Sequence, residues 1–285
     1  MCKDCGCESA LARKQNHRHS HTHADGSVHE HTHDHSHEHG HAAGHEHAHG
    51  DGEHTHEHPH PHPHEHEHGE IRTLSLQQRV LDRNDQLAAM NRAWLADRGI
   101  VALNLISSPG TGKTLLLERT IERIRDRVRC AVIAGDQHTD NDKRRLDRTG
   151  VPVVQIETHS TCHLDAERVA AVLPLAAPAG TRLLFIENIG NLVCPAAFDL
   201  GETFKVGLLS TTEGEDKPVK YPVLFTGCRV VVLTKTDLIP HLDWDLAKCR
   251  RFIQQVNPGV FVFELSAKTG DGMDAWCAYL ERLVG

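Results

Sequence analysis

The chain has 285 residues, 25% of them charged, and a formal net charge of −8 carried almost wholly by one end. Through Glu70 there are 13 Asp/Glu against 4 Lys/Arg, a balance of −9, and the remainder stands at 26 against 27, or +1. With the remainder near neutral, nucleic acid is not expected as a partner, no apolar run reaches the roughly 20 residues of a membrane span, and nine cysteines, an odd number, argue against a disulfide framework.

In chain order, residues 1–7 come first. Cys2, Cys5 and Cys7 place three thiols within six residues, the first two at C-x-x-C spacing. Thiolates favour soft and borderline metals, so with the terminal amine this set suits square-planar nickel(II) or tetrahedral zinc, and the donors alone do not choose between them. The segment is Cys-rich and then polar, without the apolar core of a signal peptide, so a cytoplasmic location is expected. Residues 8–70 are a different material. Of the 26 histidines, 22 lie between His17 and His68, in His-x-His repeats with Asp, Glu, Gly and Pro interleaved. Almost nothing apolar is present to offset the entropy of ordering, so a disordered tract is expected in the absence of metal. Neutral imidazoles bind nickel, copper, zinc and cobalt, and the tract reads as metal storage.

Residues 71–285 alternate strand-length apolar runs with amphipathic stretches, which implies an α/β fold with a mostly parallel, doubly wound sheet. Ser75-Leu76-Gln77-Gln78 reads as a capping box opening a helix whose apolar face is Val80, Leu81, Leu87, Met90, Trp94 and Leu95, expected to pack on the sheet edge. The run Ile100–Ile106 then leads into Ser107-Ser108-Pro109-Gly110-Thr111-Gly112-Lys113-Thr114, followed from Leu115 by helical periodicity. Strand, glycine loop and helix form a phosphate-binding loop, in which backbone amides of Gly110, Thr111 and Gly112 cradle phosphate, Lys113 reaches the β- and γ-phosphates and Thr114 binds magnesium. Ser107 stands where the Walker pattern has glycine, so that turn must accept a side chain. A strand at Cys130–Ala134 ends at Gly135-Asp136-Gln137, placing Asp136 where open α/β sheets bind ligands, either on the magnesium or orienting the attacking water; a helix cap is its other use. Val153–Ile156 and Arg182–Glu187 are further strands, the second ending on Glu187, the Walker-B candidate, with Gly190 beyond it able to approach the phosphates.

Phe204–Ser210 reads as a strand, and Thr211–Tyr221 as a long polar surface loop. Arg229–Leu233 delivers Thr234-Lys235-Thr236-Asp237, and Val260–Leu265 delivers Ser266-Ala267-Lys268, with helices near 243–256 and 271–283. These two strand-end segments resemble the N-K-x-D and S-A-K motifs that read guanine, where Asp237 accepts from the N1 and N2 donors that adenine lacks, so GTP is expected over ATP. Thr234 replaces the usual Asn, and the tie from this strand to the phosphate loop is expected to be weaker. Cys162, His163 and Cys194 form a last constellation. If they share an ion, movement of the Glu187–Cys194 segment on hydrolysis changes its affinity; the other reading is a buried cysteine and a helix-capping histidine. Cys130, Cys228, Cys249 and Cys277 read as small core residues.

The chain is similar, over nearly its whole length, to the HypB family of hydrogenase maturation GTPases. The likeness rests on the Cys2-x-x-Cys5-Gly6-Cys7 start, the histidine tract, Ser107–Thr114, Gly135-Asp136-Gln137, Cys162-His163-Leu164-Asp165-Ala166, Glu187–Pro195, Asp216–Pro222 and Thr234–Leu238. The resemblance implies a P-loop fold of SIMIBI type and slow, regulatory hydrolysis of GTP to GDP. It also implies a high-affinity nickel site at Cys2, Cys5 and Cys7 and a weaker nickel or zinc site at Cys162, His163 and Cys194. Its implied partners are a second copy contacted through Leu238 and Leu242, the zinc-containing chaperone HypA and the large-subunit precursor of a [NiFe]-hydrogenase. Two other readings compete: a UreG-like urease factor, and a nickel or zinc buffer whose GTPase is vestigial.

Overall fold

The structure, a computed structural model, describes residues 17–22, 28–33, 66–136, 141–158 and 163–285. Two units separate, one reaching to Arg72 and the other running from Thr73 to Gly285. In the first, β1 (His17–Thr22) and β2 (Val28–His33) pair antiparallel, with His17 opposite His33, His19 opposite His31 and His21 opposite His29. Alternating His-x-His is compatible with the period-two strand. A two-stranded ribbon of such composition has no core and is marginal in water.

The helix α1 (His66–Asp97) starts well before the predicted capping box, which therefore lies inside it. Extending a formed helix adds a hydrogen bond per residue without a second nucleation cost, and Gln78 donates forward to Asp82 Oδ1 at 2.9 Å. The buried face only partly matches the predicted one, since Leu95 is buried and Leu81, Leu87 and Trp94 are half-buried. Asn84, Ala88, Asn91 and Leu95 are buried, whereas Val80 and Met90 are exposed. Polar residues occupy this face because they bond to loops: Asn84 Nδ2 donates to Asp199 O at 2.8 Å and its Oδ1 accepts from Ala166 N at 2.9 Å, while Asn91 Nδ2 donates to Ala166 O and Leu200 O. Leu95 joins the cluster on one face of the sheet, so α1 lies over that face and not at the edge. Gly201, at φ 89°, sits so close that a Cβ would lie 2.5 Å from Asn91 Cβ and 2.6 Å from Ala88 O. Gly201→Ala is therefore expected to destabilise the chain by about 2–5 kcal/mol, combining left-handed strain with overpacking, as a lowered denaturant midpoint.

Beyond α1 follow β3 (Val101–Ser107), α2 (Lys113–Ile124), β4 (Cys130–Asp136), α3 (Asn141–Asp147), β5 (Val153–Glu157), α4 (Ala166–Ala176) and β6 (Leu183–Glu187). Then come α5 (Cys194–Ala197), β7 (Phe204–Ser210), α6 (Lys217–Lys220), α7 (Pro222–Gly227), β8 (Cys228–Thr234), a 3-10 turn (Thr236–His241), α8 (Leu246–Val256), β9 (Phe261–Glu264) and α9 (Met273–Val284). The seven strands β3–β9 form one parallel sheet in the order β5-β4-β6-β3-β7-β8-β9. Parallel strands are covered on both faces, which is why they print as unbroken apolar runs such as Leu183–Ile186, all buried. On one face α2 and α9 pack through Leu116, Leu117, Ile121, Trp276 and Leu280. On the other, α4 covers β4 and β6 through Val169 and Leu173, and α7 and α8 cover β7 and β8 through Phe225 and Ile253. Trp276 Nε1 donates to the buried Thr120 hydroxyl at 3.0 Å, so neither polar group is stranded. Among the described residues no helix is long and apolar enough to cross a membrane.

Because the strands run one way, Ser107, Asp136, Glu187, Ser210 and Thr234 all end on the same rim of the sheet. The β3–α2 loop leaves that rim from the central strand, and β3 has β6 on one side and β7 on the other.

Candidate nucleotide and metal site

The loop 107–114 takes the strand-loop-helix form expected of it. Gly110 and Gly112 have φ of 73° and 99°, values that side chains disfavour, so these turns depend on glycine. Ser107 has no positive φ, and its side chain is used: Lys113 Nζ donates to Ser107 Oγ at 2.9 Å, and Ser107 Oγ donates to Ser108 O at 2.8 Å. Thr114, in the first turn of α2, donates its hydroxyl to Glu187 Oε1 at 2.7 Å. Glu187 is buried at the end of β6. These hard oxygen donors, brought together at a helix N-terminus, fit a magnesium site. Asp136 ends β4 in register with Glu157, on the same rim. Gly190 approaches the loop closely, since a Cβ there would meet Pro109 Cα and Cγ at 3.0 Å.

Beside the loop, a cavity of about 300 Å³ is lined by Thr111, Gly112, Leu115, Thr234, Lys235, Asp237, Ser266, Ala267 and Lys268. The two predicted base-reading segments thus meet each other and the phosphate loop. Thr234 Oγ1 donates to Thr111 O at 2.8 Å, so a hydroxyl supplies the strand-to-loop tie directly. Lys235, with φ 60°, donates from Nζ to Gly110 O at 2.8 Å. Leu238 also lines the cavity and Leu242, at the end of the same turn, is exposed.

Of the predicted metal ligands, Cys2, Cys5, Cys7 and Cys162 lie outside the described residues. Among those described, no group of three or more His, Cys, Asp or Glu gathers as a metal site. His163 stacks on Phe198 with centroids 3.9 Å apart, and burial lowers its pKa by disfavouring the charged imidazolium. Cys194 is half-buried at the start of α5. The four core cysteines fit their expected role, with burial pushing Cys130, Cys228 and Cys249 up to about 12 and Cys277 to about 11.

Two features escaped the sequence reading. One is a buried polar chain: Asn188 Oδ1 accepts from Leu164 N at 3.3 Å, Asn188 Nδ2 donates to Asn104 Oδ1 at 3.2 Å, and Asn104 Nδ2 donates to Glu202 Oε1 at 3.2 Å. Burial raises the Glu202 pKa. This chain fixes the residue after His163 to the residue after Glu187. An Asn inside the apolar run of β3 was the available signal. The other is the segment 211–221, which is not a surface loop. Thr211 and Pro218 are buried, Thr111 Oγ1 lies 3.0 Å from Glu213 Oε1, and Lys217 Nζ lies 3.4 Å from Ser108 Oγ. Polar composition misled here because the segment's partners are the polar groups of the phosphate loop.

Comparison with known proteins agrees with this geometry. Residues 101–264 match the model of the CobW/HypB/UreG nucleotide-binding domain. The hydrogenase maturation factor HypB of Azotobacter vinelandii is 52% identical over 214 residues, covering 75% of this chain and 71% of that protein. Two crystal structures are similar: HypB from Archaeoglobus fulgidus, with 38% identity, TM-score 0.68 and coverage of 72% of this chain and all (100%) of that one, and HypB from Helicobacter pylori in complex with nickel, with 32% identity, TM-score 0.65 and coverage of 70% and 95%. With the phosphate loop, the Glu187 strand end and the cavity beside the loop assembled on one sheet rim, the chain belongs to the HypB family of hydrogenase maturation factors.

Proposed function

We propose that this chain is a slow GTP-hydrolysing metallochaperone that binds nickel and assists its insertion into the large subunit of a [NiFe]-hydrogenase, with the histidine tract of residues 8–70 holding further nickel. The observation that carries the reading is the Thr114–Glu187 hydrogen bond of 2.7 Å, because Glu187 heads the segment that reaches Cys194. Nucleotide and metal groups then share one stretch of backbone, and Gly190 within it rests on Pro109 of the phosphate loop.

In this reading Gly110, Thr111, Gly112 and Lys113 hold the phosphates, and Asp237 with Ser266, Ala267 and Lys268 holds guanine. Thr114 and Asp136 hold magnesium, which when bound offsets the negative charge of the transferred phosphoryl group. Lys113 supplies positive charge to the phosphates, and Glu187 orients the Thr114 hydroxyl. Nickel is cargo, taken by Cys2, Cys5 and Cys7 and, in competition with zinc, by Cys162, His163 and Cys194. A second copy docks through Leu238 and Leu242, next to the nucleotide cavity, and a HypA-type chaperone and the hydrogenase precursor are the partners. The nickel complex of HypB from Helicobacter pylori supports the metal assignment.

The test titrates nickel into a chain beginning at Glu70, with GDP and then a non-hydrolysable GTP analogue, beside Cys194→Ala. The two nucleotide states are expected to differ in nickel affinity by roughly 5- to 150-fold, and the difference to vanish in the variant. Equal affinities in the parent would assign hydrolysis to dimerisation or partner docking instead.

A further inference from the structure

The turn between β7 and α6 sets a carboxylate against a loop built for anions. Glu213 is held on every side: its amide donates to Ser210 O at 2.9 Å, its carbonyl accepts from Trp244 Nε1 at 2.9 Å, and its Oε1 accepts from Ser210 N at 3.2 Å. The Thr111 hydroxyl, with one proton to give, lies 2.8 Å from Ser108 O and 3.0 Å from Glu213 Oε1. The other carboxylate oxygen lies 3.3 Å from Lys217 Nζ, with the two side chains 15% and 25% exposed. Lys217 Nζ is also 3.4 Å from Ser108 Oγ, and it sits over the Tyr221 ring at 5.0 Å. The ammonium is thus lodged between a fixed carboxylate and the phosphate loop.

A fixed negative charge beside bound phosphate disfavours the more highly charged ligand, and an ion pair this shielded is only partly weakened by solvent. We infer that Glu213 is a specificity-determining residue of the nucleotide site: it competes with the terminal phosphate of GTP for Lys217 and so lowers the preference for triphosphate over diphosphate. The inference rests on the guanine-nucleotide reading above. GDP, which lacks the terminal phosphate, leaves Lys217 on Glu213, whereas GTP must draw the ammonium away from it. Such a device keeps the triphosphate state from dominating.

The experiment measures affinities of the full chain for GDP and for a non-hydrolysable GTP analogue in the parent, in Glu213→Gln, in Lys217→Ala and in the double variant. Glutamine matches glutamate in shape and keeps an oxygen for Thr111 and Ser210 N, so the change is mainly one of charge. Glu213→Gln is expected to raise the analogue-to-GDP affinity ratio about tenfold, the size of a charge-assisted hydrogen bond, and to raise it much less when Lys217 is alanine. An unchanged or lowered ratio would overturn the inference, as would an increase undiminished without Lys217. A parent chain that bound neither guanine nucleotide would overturn the nucleotide reading as well, which separates the two failures.

Discussion

Lys113→Ala is expected to lower kcat/KM for GTP hydrolysis by roughly 10²–10³-fold, the range seen when one preorganised charge-stabilising donor is removed. The ammonium is placed for this by three features. Lys113 opens α2, its side chain is 9% exposed, and Nζ already donates to Ser107 Oγ at 2.9 Å. Its direction is therefore set before nucleotide arrives, so little ordering remains to be done on binding. The core does not depend on it, since the buried apolar stripe of α2 is Leu116, Leu117, Ile121 and Ile124. Single-turnover hydrolysis is expected to collapse in the variant while its far-ultraviolet circular dichroism matches the parent. Hydrolysis at the parental rate would remove Lys113 from the phosphate site.

The second large effect concerns the base. Asp237→Asn is expected to cost about 3 kcal/mol of guanine-nucleotide affinity, near 10²-fold, and to favour xanthine nucleotides. A carboxylate accepts from both the N1–H and the exocyclic amine of guanine. A carboxamide presents one acceptor and one donor, which opposes that amine but matches the carbonyl oxygen xanthine carries at the same position. The geometry permits this reading, because Asp237 lines the same cavity as Ser266, Ala267 and Lys268, and Lys235 bonds back to Gly110 O. Competition between guanosine and xanthosine diphosphates for parent and variant makes the comparison. Equal loss for both bases, or a gain for adenine, would show that Asp237 does not face the base edge.

The phosphate loop was legible because its chemistry is contiguous: glycines that allow positive φ, a lysine and a threonine at a helix start lie within eight residues after a buried strand. The strands were legible for a related reason. A parallel sheet covered on both faces needs unbroken apolar runs, and Phe204–Ser210 came out with its predicted bounds. The face of the helix before the loop was legible only in part, because apolarity does not say which side of a helix meets the protein. Val80 and Met90 carry the stronger hydrophobic signal, yet Asn84 and Asn91 face inward, where loop carbonyls and amides satisfy them.

By itself, then, the sequence determined the parallel α/β architecture, the phosphate loop and the kinds of chemistry delivered at strand ends, since local periodicity and short-range spacing encode each of these. Only the tertiary structure decided which strand ends become neighbours. The order β5-β4-β6-β3-β7-β8-β9 puts Glu187 on Thr114 across 73 residues, Glu213 on Thr111 across 102 and Thr234 on Thr111 across 123. Strand order follows from burying both sheet faces with short connections, a condition on the whole chain that no local window of residues expresses. The polar turn at 211–216 therefore looked like a solvent loop until its neighbours turned out to be the phosphate loop.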